Sequence, residues 1–193
     1  MPENHQNQNA RGKYKNVLSS KSLNMKEQGN VLLVTALTGL GYNIAPHFGM
    51  YQIINYLRHH NLSCDMYDRD LEFFKKTDFN EDAVLKCIRE GKYDVIGMSV
   101  SHDHMPEDLD LYWRFKFASE KSDKRSIFIA GGQEATLNWK QWLRLGVDLI
   151  FLGFAEKILL KFCSRIASRY DQFESGLPLP DLIEGMDGVA YTD

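Results

Sequence analysis

What this 193-residue sequence lacks removes several function classes at once. No apolar run approaches the ~20 residues of a membrane span, so a soluble chain with no membrane partner is expected. The N-terminus carries no apolar signal core, which argues against secretion. Cysteine is scarce: Cys64, Cys87 and Cys163 are far apart, odd in number and without zinc-type spacing. That pattern fits free thiols in a reducing compartment, and a cytoplasmic location follows as the expectation. The formal net charge of −3 offers no broad field for nucleic acid or an anionic membrane, so no nucleic-acid partner is expected. No G-x-x-x-x-G-K-[ST] loop occurs. Gly39-Leu40-Gly41 fails the G-x-G-x-x-G spacing because position 44 is Ile. A phospho-acceptor domain would need acids after the first and third strands, where Thr35-Ala36 and Ser99-Val100 stand instead.

What is present is a core-forming composition, 44% hydrophobic and 25% charged, sized for one domain with tails. The organising stretch is residues 92–133. Tyr93-Asp94-Val95-Ile96-Gly97-Met98-Ser99-Val100-Ser101 reads as a strand, residues 106–119 as a helix, and Ser126-Ile127-Phe128-Ile129-Ala130-Gly131-Gly132-Gln133 as a strand entering a glycine turn. Such a βαβ unit implies a parallel pair with a right-handed crossover. Around it lie a buried first strand at Val31-Leu32-Leu33-Val34, a helix from His47 or Phe48 to His60, and a less buried strand at Cys64-Asp65-Met66-Tyr67. Asn80 caps a helix over residues 83–90. One helix is expected over residues 133–145, a fifth strand over 147–152, and a last helix ending near Tyr170. The pattern predicts an α/β fold: a flavodoxin-like (Rossmann-like), doubly wound, five-stranded parallel sheet in the order 2-1-3-4-5. The polar residues 1–29 read as a disordered tail, 30–170 as the domain, and 171–193 as a linker.

Four turns converge on the carboxyl edge of that sheet, at residues 38–47, 99–106, 131–136 and 153–156. Their small residues let a ligand approach the backbone, and the helix starts offer N–H groups to anions. This favours a ligand site over tight turns alone. His47, His102 and His104 could meet there, but no third ligand stands at recognised spacing, so solvated loop histidines are the better reading. Glu134 and Glu156 open helices, where the macrodipole suffices to explain them. Trp113, Trp139 and Trp142 read as core or interface aromatics. No nucleophile–base pair is evident, so no catalytic residue is assigned.

Taken in order, several pieces resemble the N-terminal cobalamin-binding domain of cobalamin-dependent radical SAM enzymes. They are the apolar first strand, Pro46-His47-Phe48-Gly49-Met50 opening a helix that ends Tyr56-Leu57-Arg58, and the run from Tyr93 to Val100. Ala130-Gly131-Gly132-Gln133-Glu134-Ala135-Thr136 follows, then Gly146-Val147-Asp148 leading into Gly153-Phe154-Ala155-Glu156. The resemblance implies cobalamin as cofactor. It places contacts at Leu40, Gly41, Tyr42, Asn43, Pro46 and His47 after the first strand, and at Ser99, Ser101 and His102 after the third. It adds Gly131, Gly132 and Gln133 after the fourth strand and Gly153 and Phe154 after the fifth. The D-x-H-x-x-G run of cobalamin-dependent mutases has no counterpart, since Ala45-Pro46-His47-Phe48-Gly49 lacks the Asp and misplaces the Gly. A base-off form without a protein histidine on cobalt is therefore expected. No C-x-x-x-C-x-x-C motif is present either, so the iron–sulfur cluster and S-adenosylmethionine would belong to a separate radical SAM domain, in cis or in trans. The implied function is a non-catalytic module that positions the corrin cobalt for such a domain, with methyl transfer in the whole enzyme. The segment Gly188-Val189-Ala190-Tyr191 resembles the lead into that domain and favours a fragment over a free-standing carrier or sensor. The alternative is a flavodoxin-like regulatory or interaction domain without cobalamin.

Overall fold

The structure, a computed structural model, describes residues 30–37, 47–75 and 79–192. Six strands form one sheet: β1 (Val31–Val34), β2 (Cys64–Tyr67), β3 (Val95–Ser99), β4 (Ile127–Gly131), β5 (Leu149–Phe151) and β6 (Val189–Ala190). Their order is β2-β1-β3-β4-β5-β6. The first five are parallel in the expected order, and β6 adds an antiparallel edge.

Nearly every residue of β1, β3, β4 and β5 is buried, because both faces are covered by helices. The side chains still alternate between two cores. Leu32, Val34, Ile96, Met98, Phe128, Ala130 and Ile150 pack with α3 (Glu81–Arg89), α4 (Met105–Glu120) and α6 (Trp139–Arg144). Val31, Leu33, Val95, Ile127, Ile129, Leu149 and Phe151 pack with α1 (Phe48–His59) and α7 (Glu156–Ser168). The chain thus leaves β1 toward one face and β3 toward the other, which makes the gap between them the switch point of the sheet.

Local chemistry sets the boundaries. Asn80 caps α3 by accepting from the Ala83 N–H. The stretch expected as one helix over 133–145 is two, α5 (Gln133–Leu137) and α6, broken at Asn138 (φ −115°, ψ 30°). The exposed Asn138 donates its amide to the Glu134 carboxylate at 2.8 Å, a side-chain bond across this turn. A further helix, α2 (Arg69–Lys75), follows β2 directly, with Asp68 accepting from the Leu71 N–H at its start. In residues 171–192, the segment read as a linker, Phe173 of α8 (Tyr170–Glu174) and Leu182 and Ile183 of α9 (Leu179–Ile183) are buried in the α1–α7 core. The residues read as a polar tail, 1–29, lie outside the described residues, as do Leu40, Gly41, Tyr42, Asn43 and Pro46.

Candidate functional site

Strand register explains why a cavity exists. On the α1–α7 face, Leu33, Gly97 and Ile129 form one row across β1, β3 and β4, and Ser99 pairs with Gly131 one row higher. Side chains two apart on a strand share a face. Three positions in this layer, Gly97, Ser99 and Gly131, therefore add no large side chain, and Leu33 leans over Gly97. The result is a cavity of about 210 Å³ under the carboxyl edge. Its walls are largely apolar: Leu33, Ile129 and Phe151 from the sheet, Met50 and Ile53 from α1, and Leu159 from α7. Small-molecule sites usually enclose ~300–1,000 Å³, so this space suits one arm of a larger ligand.

The mouth is built from turns. Gly132 stands at φ +100°, a backbone conformation that side chains disfavour, and a Cβ there would lie 3.4 Å from Ser99 Oγ. Phe154 is 91% exposed at the rim, after Gly153, whose N–H donates to Thr136 Oγ1 at 3.2 Å. Phe48, 76% exposed, starts α1 on the same cavity-lining helix. A large apolar side chain left in water at this rim, as Phe154 is, suits a surface that something apolar covers.

The expected site residues divide into two groups. Ser99, Gly131, Gly132, Gly153 and Phe154 line the cavity together. Ser101, His102, Gln133 and His47 do not line it. Ser101 Oγ donates to Leu37 O, and its N–H donates to Asp108. His102 is 82% exposed, with Nδ1 3.5 Å from Glu134. Gln133 opens α5. His47 lies just before α1 with Nε2 3.2 Å from Asp70. Among the described residues no group of three or more His, Cys, Asp or Glu could hold a metal ion. No described helix is long and apolar enough to cross a membrane.

Sequence reasoning missed Gly97, Gly49 and Met50. A glycine inside the strand run Val95-Ile96-Gly97-Met98-Ser99 was the available signal, since strand glycines often mark a place where a ligand comes close. It also missed the buried pair Arg69–Asp108 behind Ser101. Burial pushes the Asp108 carboxyl above the usual range, while the Ser101 N–H and the Arg69 guanidinium pull it back.

A sequence model of the B12 binding domain matches residues 34–162. Searching curated proteins by sequence gave no significant match. Among solved structures, the cobalamin-dependent S-adenosylmethionine radical enzyme OxsB, with aqua-cobalamin and S-adenosylmethionine bound, is similar with a TM-score of 0.61 and 20% identity, over 86% of this chain and 21% of that chain. The radical S-adenosylmethionine methyltransferase TsrM from Kitasatospora setae, with cobalamin and a 4Fe–4S cluster bound, is similar with a TM-score of 0.57 and 14% identity, over 85% of this chain and 29% of that one. At these identities the likeness is one of fold, and the chain spans under a third of either neighbour's length.

Proposed function

Since the chain belongs to the B12 binding domain family, with cobalamin as its cofactor, we propose that it seats the cofactor's nucleotide arm in the cavity between α1, the sheet and α7 and the corrin on the carboxyl edge above. The observation that carries this reading is the column Gly97, Ser99 and Gly131, which opens a mostly apolar slot under the switch-point edge. The slot is too small for a whole corrin and of the right character for a flat aromatic arm. When bound, cobalamin supplies the organometallic chemistry; the protein binds and orients it.

The chain's residues have distinct tasks. Gly131 and Gly132 let the backbone come close to the ligand, and Ser99 offers a hydroxyl at the slot's mouth. Phe154 offers an apolar rim for the macrocycle. His47 lies outside the cavity lining, so a base-off form without a protein histidine ligand is expected. In the whole protein the module serves a radical SAM domain, in cis or in trans, and methyl transfer is the reaction class. The support is that OxsB and TsrM share its fold and pair it with S-adenosylmethionine chemistry.

A visible absorption titration with hydroxocobalamin and methylcobalamin, followed by desalting, tests this. The expected outcome is retained corrin with a base-off spectrum, lost in Gly131→Trp. An added Cβ at position 131 would meet only Phe151 O, at 4.0 Å, so the variant enters the slot without straining the backbone. No retention by the wild-type chain would overturn the reading in favour of an interaction domain. A base-on spectrum that shifts in His47→Ala would overturn the base-off assignment alone.

A further inference from the structure

Beyond the last rung Val34–Met98, the chains leaving β1 and β3 lead to helices on opposite faces of the sheet, and they form the two sides of the switch point. A buried dipeptide from the neighbouring connection ties both sides together. Arg69, in the first turn of α2, donates its backbone N–H to Thr35 Oγ1 at 3.0 Å, just after β1. Its guanidinium pairs with Asp108 Oδ1 and reaches Glu107 O at 3.4 Å, in the first turn of α4. The other oxygen of Asp108 accepts the Ser101 N–H at 2.9 Å, and Ser101 Oγ donates to Leu37 O at 3.4 Å. The bonds close a ring that runs through both sides of the crevice. Next to Arg69, Asp70 Oδ2 lies 3.2 Å from His47 Nε2 at the start of α1. The chain is thereby held on either side of residues 38–46.

Arg69, Asp70 and Asp108 are 8%, 2% and 0% exposed. A buried ion pair contributes little net stability compared with apolar residues of the same volume, because desolvation offsets most of its attraction. What such a pair fixes well is geometry, and here that geometry is the crevice. We infer that Arg69, Asp70 and Asp108 are positioning residues that set the width of the switch-point crevice and so seat the body of the ligand, separately from the slot that takes its arm. The inference rests on the cobalamin reading above.

The two parts of the site are separable with two probes, cobalamin and dicyanocobinamide, a corrin that lacks the nucleotide arm. Both are titrated into the full chain by visible absorption, with a thermal melt of every variant. In Arg69→Met/Asp108→Asn the charges leave together, and an acceptor for the Ser101 N–H remains. That variant is expected to melt near the wild type and to bind both corrins more weakly by the same factor, roughly 10- to 100-fold, the scale set by supporting groups behind metal ligands. Asp70→Ala is expected to do the same, with most of the loss restored in Asp70→Asn. Gly131→Trp, by contrast, is expected to weaken cobalamin and spare cobinamide. A lowered melting temperature with unchanged affinity for both corrins would reduce the cluster to a structural role and overturn the inference. If the double variant does not fold, unchanged cobinamide affinity in Asp70→Ala overturns it equally. Corrin binding by the wild type with unaffected variants sinks the clamp alone; no binding by the wild type sinks the cobalamin reading with it.

Discussion

Gly49 and Gly97 line the same cavity and respond differently to an added methyl group. A Cβ at Gly97 would stand 2.8 Å from Leu33 Cδ2, whereas one at Gly49 meets nothing within 4 Å. Gly49 is also a helical residue, so alanine there gains helix propensity, at most about 1 kcal/mol. Gly49→Ala should therefore raise the melting temperature while narrowing the slot and weakening cobalamin, two shifts of opposite sign read by a melt and a corrin titration. At this scale the sequence showed which turns carry small residues. It did not show that Gly97 matters, because a strand glycine reveals its purpose only when register places it between Leu33 and Ile129. Nor did it reveal Asp108, whose partners Arg69 and Ser101 are 39 and 7 positions away. His47 and His102 looked alike as loop imidazoles, yet Asp70 holds one and the other is open to water beside Glu134.

At the scale of elements, α1 and α7 are the walls on which the slot depends, and their packing is hydrophobic. Phe162 of α7 is fully buried and meets Phe151 of β5 edge-on, with ring centroids 6.0 Å apart. Phe162→Ala should cost about 3–5 kcal/mol, as buried aromatic truncations do, and urea unfolding with an unchanged m-value is the check. The buried strands and the capped α3 were legible because continuous apolar runs and an Asn80 cap are local signals. Helix α2 was hidden because its start, Arg69-Asp70, reads as a charged loop until Thr35, His47 and Asp108 surround it. The break at Asn138 was missed because a single polar residue in an apolar-periodic stretch is normally tolerated, and no local signal marks the non-helical backbone there.

For the whole molecule, the two-core architecture governs reactivity as well as stability. Cys64 and Cys163 are buried in the α1–α7 core, where loss of solvent pushes the Cys64 thiol up to about 12 and the Cys163 thiol higher still. Thiolates do the reacting, so both should be silent at pH 8. Cys87 is only partly buried. Alkylation of the native chain should therefore modify at most one thiol, at Cys87, and all three after unfolding, as counted by intact mass. Strand order was readable from alternation alone, since βαβ units leave few topologies open. That Val189–Ala190 would join this sheet was not, because its partners Ile150 and Phe151 lie far away in the sequence. The slot's lining has one further consequence. Its walls come from chain positions as distant as Leu33 and Leu159, brought together only when β1, β3, β4 and β5 have aligned. No early, partly ordered chain can offer such a surface, because long-range closures come last and slowly. A ligand that fits there cannot act as a template during synthesis. It recognises only a finished molecule, and its hold is felt as a slower opening of that molecule rather than a faster assembly.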